Sequence, residues 1–196
     1  MKRISILSLI LLLTGPLYAQ SFMHGAGLTV IGGYSNGSSV IFAEGITYSP
    51  RFNFYETEKL SVSAGIPLSI GLSSTATSYD LNTQSFGYSL GFVANIPLMV
   101  NVNVGRGSTT ANRQKTGYFG GLGIAYNRGD FVSIIEVDQN GNLVNQQENN
   151  IGPQANAGFR FGVGKAHKNV ELRLSYFKAL NGAKANVFGI AALFNF

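Results

Sequence analysis

The fold is decided by residues 86–104, which read FGYSLGFVANIPLMVNVNV. Every even position in this stretch is apolar, whereas the odd positions are mostly Gly, Ser and Asn. Residues 60–72 repeat the alternation, with Leu, Val, Ala and Ile separated by Ser, Gly and Pro. Because successive side chains of a strand point to opposite faces, the pattern predicts two strands with one apolar face each. Both are longer than the roughly five or six residues usual in globular proteins.

The same period recurs along most of the chain and predicts an all-β protein. The predicted strands are 25–34, 40–54, 59–72, 85–104, 116–127, 154–164, 169–178 and 187–196. Eight consecutive amphipathic strands are typical of an antiparallel up-and-down β-barrel.

The composition indicates which face of the barrel is outside. Only 12% of the residues are charged, about half the share usual in a soluble protein, while hydrophobic content is an ordinary 45%. A soluble barrel would turn Lys, Glu and Thr to water, but the non-apolar face here is Gly, Ser and Asn. Small polar residues suit the narrow lumen of eight strands, and Phe, Tyr, Leu and Val suit a lipid-facing band. The sequence therefore favours a transmembrane β-barrel over a soluble one.

The N-terminus predicts export. Lys2 and Arg3 precede an apolar run at 4–13 and a breaker at 14–19, which is the pattern of a secretory signal peptide over residues 1–19. The run is too short for a membrane anchor, which needs about 20 apolar residues. Residues 20–196 then form the barrel domain. Loss of Lys2 and Arg3 lowers the formal net charge from +5 to +3, so the basic character does not indicate a nucleic-acid partner.

The C-terminus adds a second signal. Phe188, Ile190, Phe194 and Phe196 alternate up to a terminal Phe, and this resembles the insertion signal of bacterial outer-membrane barrels. The whole mature chain resembles the small barrels of the OmpX and OmpA-transmembrane type. It resembles still more the outer-membrane barrel-domain proteins of Bacteroidota, through segments such as Ala94–Leu98 and Gly117–Gly123. The resemblance implies outer-membrane lipids and the barrel-assembly machinery as partners.

On this topology both chain ends lie in the periplasm of a Gram-negative cell. Extracellular loops are expected at 35–39, 73–84, 128–153 and 179–186, and periplasmic turns at 55–58, 105–115 and 165–168. Loop 128–153 is the longest connection, and residues 138–142 within it are expected to form a hairpin tip. The turn at 105–115 is long and basic, and the sequence offers no reason for it.

One group of charges is predicted inside the lumen. Arg160, Glu171 and Arg173 fall on the non-apolar face of the sixth and seventh strands. A tight turn near Ala166 would pair Arg160 with Arg173 and leave Glu171 within reach of both. The group could form a gate or a ligand site, but a structural ion network is favoured because an unpaired charge in a confined interior is costly.

Three residues do not suit a regular ladder. Glu44 falls on the apolar face, so we expect either a bulge at Gly45 or a position near the lipid headgroups. Pro67 and Pro97 each remove a backbone donor, so we expect bulges there too.

No catalytic, metal or cofactor site is expected. The histidines, His24 and His167, are placed on the periplasmic side, away from any extracellular serine that a lipid-modifying acyltransferase would use. Residues 159–166 lack the first Gly and the Ser or Thr of a phosphate loop, and 138–149 lacks the Gly and final Glu of a calcium loop.

Three functions remain open on the sequence alone. The favoured one is a non-enzymatic outer-membrane barrel with a structural or surface-interaction role, contacting an extracellular ligand through loop 128–153. The alternative is a narrow pore or transporter of small or hydrophobic molecules. A lipid-modifying enzyme is the least favoured.

Overall fold

The computed structural model describes residues 21–34, 41–80, 85–137, 143–164, 168–181 and 184–196. Within them the chain forms eleven β-strands. They are β1 Ser21–Met23, β2 Gly25–Tyr34, β3 Ile41–Tyr48, β4 Arg51–Glu56, β5 Leu60–Gly65, β6 Leu68–Asp80, β7 Ser85–Gly105, β8 Thr116–Val137, β9 Leu143–Gly162, β10 Asn169–Lys178 and β11 Asn186–Asn195. The described residues include no helix long and apolar enough to cross a membrane.

The strands close into one antiparallel barrel. Three barrel strands are each built from two shorter ones, namely β1 with β2, β3 with β4, and β5 with β6, and the other five are continuous. Each barrel strand pairs with the next along the chain, and β11 pairs with β2 to close the cylinder. This confirms the predicted eight-stranded up-and-down barrel. Closure leaves the body of the barrel without a free edge, as a membrane requires.

The register fixes the tilt of the barrel strands. Paired residues can be followed from each strand to its neighbour once around the barrel. The path starts at Tyr118 on β8 and passes through Leu172, Leu28 and Ile70. It returns to β8 at Arg128, ten residues further along. With ordinary strand spacings, a shear of ten over eight strands gives a tilt of about 41°.

The exterior is apolar, as the alternation predicts. Aliphatic side chains such as Leu28, Ile124 and Leu174 are exposed across its middle. Aromatic side chains gather above and below them in two bands that the register places about 20 to 25 Å apart. One band holds Phe22, Phe52, Phe54, Tyr118, Phe161, Phe194 and Phe196, and the other Tyr34, Phe42, Phe92, Tyr176 and Phe188. An apolar belt about 25 Å tall between aromatic girdles is the exterior of a transmembrane barrel.

The two ends of the barrel differ. The end that carries Ser21, Phe196 and the turns 57–59, 106–115 and 163–168 is called the terminal end below, and the opposite end the distal end. The distal half of the lumen contains a buried apolar cluster of Ile31, Ala43, Val93, Ala125, Phe177, Ala179, Ala185 and Val187. The terminal half is polar and holds the buried charged side chains. The distal half is apolar only in part, because the buried amides Asn95 and Asn127 lie at the level of Val93 and Ala125.

The distal connections are shorter than predicted. β6 runs on to Asp80, so strand takes up residues 73–80 of the expected loop 73–84. The expected loop 128–153 is mostly a hairpin, because β8 extends to Val137 and β9 begins at Leu143. Pairing of Ile134 with Gln146 continues it after a register shift beyond Gly129. Polar and apolar residues lose their alternation there, so periodicity did not reveal these strand extensions. The expected tip at 138–142 lies outside the described residues, as do the signal peptide and His167.

The irregularities lie elsewhere than expected. Pro67 and Pro97 fall opposite each other, between the pairs Ser69–Asn95 and Gly65–Met99, and the register does not slip between those pairs. The bulges expected at the two prolines are therefore wrong. Pro67 instead lies in a short break between β5 and β6. A register shift does occur between Asn53 and Tyr55.

Glu44 sits in a regular ladder, so the bulge expected at Gly45 is also wrong. It lies opposite Val30 on one side and Leu72 on the other, and its side chain is exposed on the exterior. The register places it about 21 Å along the barrel axis from Tyr118, level with the distal aromatic band. A carboxylate costs less there than at mid-membrane. Of the two expectations, the position near the headgroups therefore stays a prediction, and the register supports it.

Candidate functional site

The buried charges of the lumen meet at one carboxylate. Glu171 points inward from β10 and is fully buried. Its Oε2 accepts from Arg160 Nε at 2.7 Å, and its Oε1 accepts from Arg173 Nε at 2.9 Å and Nη2 at 2.5 Å. The three predicted residues are therefore in direct ion-pair contact. A carboxylate held by two guanidinium groups at these distances satisfies both oxygens.

The pairing differs from the one expected from the sequence. Glu171 lies directly opposite Arg160, and Arg173 lies opposite Gly158. The expected pairing of Arg160 with Arg173 is wrong by two residues, because the turn is wider than assumed. β9 ends at Gly162 and β10 begins at Asn169, and Val163 N–H donates to the Lys168 carbonyl. A directly opposed pair gives a shorter contact than a diagonal one.

A third arginine joins the cluster and was not predicted. Arg51 enters from β4 with its side chain buried, and its Nη1 lies 3.5 Å from Glu171 Oε2. Its position is odd in a strand whose even positions face lipid, which is the signal that would have found it. We call Arg51, Arg160, Glu171 and Arg173 the lumen cluster. It contains three guanidinium groups and one carboxylate.

An aromatic ring and two amides complete the surroundings of the lumen cluster. The guanidinium carbon of Arg160 lies 4.2 Å from the centre of the Phe119 ring, and that of Arg173 lies 5.6 Å from it. Both distances are within cation–π range. Asn195 Nδ2 donates to Glu171 Oε2 at 3.2 Å, and Arg160 Nη1 donates to Asn103 Oδ1 at 3.0 Å. Asn195 therefore stabilises the carboxylate, whereas the Asn103 oxygen and the Phe119 ring stabilise cations that the single carboxylate does not neutralise.

The long turn between β7 and β8 folds into the mouth of the lumen. Residues 106–109 and Asn112 are buried, although they belong to a connection. Arg51 Nη2 donates to the Gly107 carbonyl at 2.9 Å, and Arg160 Nη1 donates to the same oxygen at 3.3 Å. Asn53 Nδ2 donates to the Ser108 carbonyl at 2.8 Å. We call residues 106–112 the plug, because they close the terminal end of the lumen and bond to the lumen cluster.

The plug is tied to the other turns of the terminal end. Arg106 Nη2 donates to the Lys168 carbonyl at 2.8 Å, and Asn112 Nδ2 donates to the Glu58 carbonyl at 2.9 Å. Gly107 has a φ of 72°, and a Cβ there would lie 2.9 Å from Arg160 Cδ. This position therefore requires glycine both for its backbone angle and for its space. The contacts explain why the turn is long and why it contains Arg106.

The remaining predicted residues lie on the exterior. Phe188, Ile190, Phe194 and Phe196 are exposed along β11, and Phe196 N–H donates to the His24 carbonyl at 3.0 Å. His24 lies at the terminal rim, with its ring centre 4.4 Å from that of Phe196. Among the described residues, no group of three His, Cys, Asp or Glu side chains could hold a metal ion.

Solved structures with this fold come from bacterial outer membranes. No protein-family model matches the chain, and no curated protein matches it in sequence. The attachment invasion locus protein Ail of Yersinia pestis, solved with the heparin analogue sucrose octasulfate, superposes with a TM-score of 0.55 at 12% identity, covering 90% of this chain and 98% of that one. Neisserial surface protein A superposes with a TM-score of 0.57 at 11% identity, covering 90% and 97%. The fold is that of the small eight-stranded outer-membrane β-barrels.

Proposed function

We propose that this protein is a non-enzymatic, integral outer-membrane barrel that acts at the cell surface through its distal hairpins. The observation that carries the proposal is the closed barrel with an apolar belt between two aromatic bands. Such an exterior is stable only in a bilayer. The terminal end would face the periplasm and the distal end the outside, with insertion directed by Phe188, Ile190, Phe194 and Phe196 through the barrel-assembly machinery.

The filled lumen argues against the alternative of a narrow pore. The plug and the lumen cluster occupy its terminal half, and the buried apolar cluster around Phe177 and Val93 occupies its distal half. A small solute would have to displace both. The lumen cluster is better suited to a structural role, because its charges bond to one another and to the plug.

The longest hairpin is the favoured contact surface. β8 and β9 continue past Gly129 as a pair of strands, whereas β7 pairs with β8 only as far as the level of Val93. The strand segments beyond Gly129 and before Glu148 therefore extend past the body of the barrel. Residues 128–153 contain four acidic residues and only Arg128 as a base. A sulfated sugar of the kind bound to Ail is not complementary to that charge, so we expect an uncharged or cationic ligand.

Shortening the hairpin tests the proposal. Residues 130–147 would be replaced by Asn-Gly, which joins Gly129 to its partner Glu148 by a two-residue turn. We expect the variant to enter the outer membrane and to keep a heat-modifiable gel mobility. Cells with the unaltered barrel should adhere to host cells or matrix proteins. Cells that carry the variant should lose this adhesion.

Two outcomes would contradict the proposal. One is recovery of the unaltered protein outside the outer-membrane fraction. The other is adhesion that is the same with and without the hairpin. Replacing Lys184, an exposed distal residue outside the hairpin, by Ala is the matched control and should leave adhesion unchanged.

A further inference from the structure

A shallow cavity of about 460 Å³, open to the surroundings, lies outside the lumen at the terminal end. It is lined by the turn after β4 and by the outer part of the long turn, through Glu58, Lys59, Ala111, Asn112, Arg113 and Gln114. Two cations and one carboxylate therefore share its wall. None of these side chains belongs to the lumen cluster.

Hydrogen bonds between the two turns hold the walls of the cavity in place. Asn112 is buried and donates from Nδ2 to the Glu58 carbonyl at 2.9 Å, which joins the two turns. Its Oδ1 accepts from the Gln114 N–H at 2.9 Å, and Gly105 N–H donates to the Lys59 carbonyl at 2.8 Å. These bonds involve backbone groups of Glu58, Lys59 and Gln114. The charged ends of Glu58, Lys59 and Arg113 remain exposed.

The position of the cavity on the barrel indicates which kind of ligand could reach it. Leu60 and Val104 are paired immediately next to it, and Val102 continues the exposed apolar column towards mid-membrane. The register places the cavity just outside the terminal aromatic band, at the level of lipid headgroups. A ligand with a polar head in the cavity could lay an acyl chain along this column.

We propose that the cavity binds a phospholipid with a phosphoethanolamine headgroup. Lys59 and Arg113 supply cations for the phosphate, and Glu58 supplies a carboxylate for the ammonium group. A purely anionic headgroup would meet the repulsion of Glu58, and a choline headgroup has no N–H to donate to it. The proposal rests on the proposed function, because it requires the terminal end to lie in a phospholipid leaflet.

Native mass spectrometry of the detergent-solubilised barrel tests the site. The protein would be mixed with equal amounts of phosphatidylethanolamine, phosphatidylglycerol and phosphatidylcholine. We expect phosphatidylethanolamine to be retained preferentially. The double variant Lys59→Ala/Arg113→Ala should lower its affinity about tenfold or more, since each cation near a phosphate contributes about a factor of five.

Two further variants separate a headgroup site from general attraction of lipid. Glu58→Gln removes the partner of the ammonium group, so the preference over phosphatidylglycerol should disappear while phosphate binding persists. Lys168→Ala removes an exposed cation of the terminal end that does not line the cavity, and it should change nothing. Heat-modifiable mobility would show that each variant is folded.

Equal retention of the three lipids by the unaltered protein would overturn the proposal. So would a double variant that retains phosphatidylethanolamine as the unaltered protein does. A barrel that fractionates with the outer membrane but retains no phosphatidylethanolamine would refute the lipid site alone. A barrel found outside the outer membrane would refute the proposed function instead.

Discussion

At the residue scale, Glu171 is the carboxylate that pairs with the buried arginines of the lumen. It accepts hydrogen bonds from Arg160, Arg173 and Asn195 and lies within ion-pair distance of Arg51. Three buried guanidinium groups would repel one another without it. The lumen cluster is thus an ion network in which a single carboxylate holds the cations together.

Replacing Glu171 by Gln should strongly destabilise the barrel. The side-chain volume is kept, but three cations then face a neutral amide, and breaking a buried ion pair costs about 3 to 5 kcal/mol. We expect a lower midpoint in urea and a lower temperature for the heat-induced gel shift. Glu58→Gln removes an exposed carboxylate and serves as the control. An unchanged midpoint for Glu171→Gln would show that the lumen cluster does not contribute to stability.

At the scale of elements, the plug is a connection that has become part of the interior. A turn between neighbouring barrel strands needs only a few residues, but this one spans 106–115 and bonds to β4, β9 and the turn before β10. Backbone carbonyls at Gly107 and Ser108 accept hydrogen bonds that the lumen side chains could not all make with each other. The plug and the lumen cluster therefore stabilise each other.

Gly107→Ala compared with Gly164→Ala tests the packing of the plug. Both glycines have positive φ, at 72° and 66°, so both substitutions carry a similar backbone penalty of about 1 to 2 kcal/mol. A Cβ at Gly107 would crowd Arg160 Cδ and Asn169 Nδ2, whereas one at Gly164 would meet nothing within 4 Å. Gly107→Ala should therefore lower the free energy of unfolding more than Gly164→Ala. Equal losses in urea titrations would mean that the plug is not tightly held.

At the scale of the whole molecule, the barrel is layered along its axis. The plug closes the terminal mouth, the lumen cluster follows it, and the apolar cluster of Phe177 and its neighbours lies in the distal half. Outside, one apolar belt spans between the two aromatic bands. Such a barrel is a rigid support for its distal hairpins.

The layered lumen predicts that the protein does not conduct. In planar bilayers we expect no stable single-channel steps from the unaltered barrel. A variant with residues 107–114 replaced by Asn-Gly should also stay closed, because the distal apolar cluster is untouched. Reproducible steps from the unaltered protein would favour the pore instead. Their appearance only in the variant would show that the plug alone blocks the lumen.

The sequence by itself determined the class of fold and the two faces of the barrel. A period of two residues is enough to separate lipid-facing from lumen-facing positions, so Phe92, Leu122 and Ile190 were assigned correctly to the exterior. The placing of Arg160, Glu171 and Arg173 in the lumen follows from the same period. Only the tertiary structure decided how they pair, because a turn of uncertain length shifts the register in steps of two without changing the face.

Tertiary structure also decided which residues far apart in the sequence are in contact, which a local periodicity cannot predict. Arg51 contacts Glu171 across 120 residues of sequence, and the Gly107 carbonyl, in the turn between β7 and β8, accepts a hydrogen bond from Arg160. Such contacts depend on closure of the barrel, which brings the three strands β4, β9 and β10 and one connection to a single point. Local alternation sets which way a side chain points, but only the closed barrel sets what it meets there.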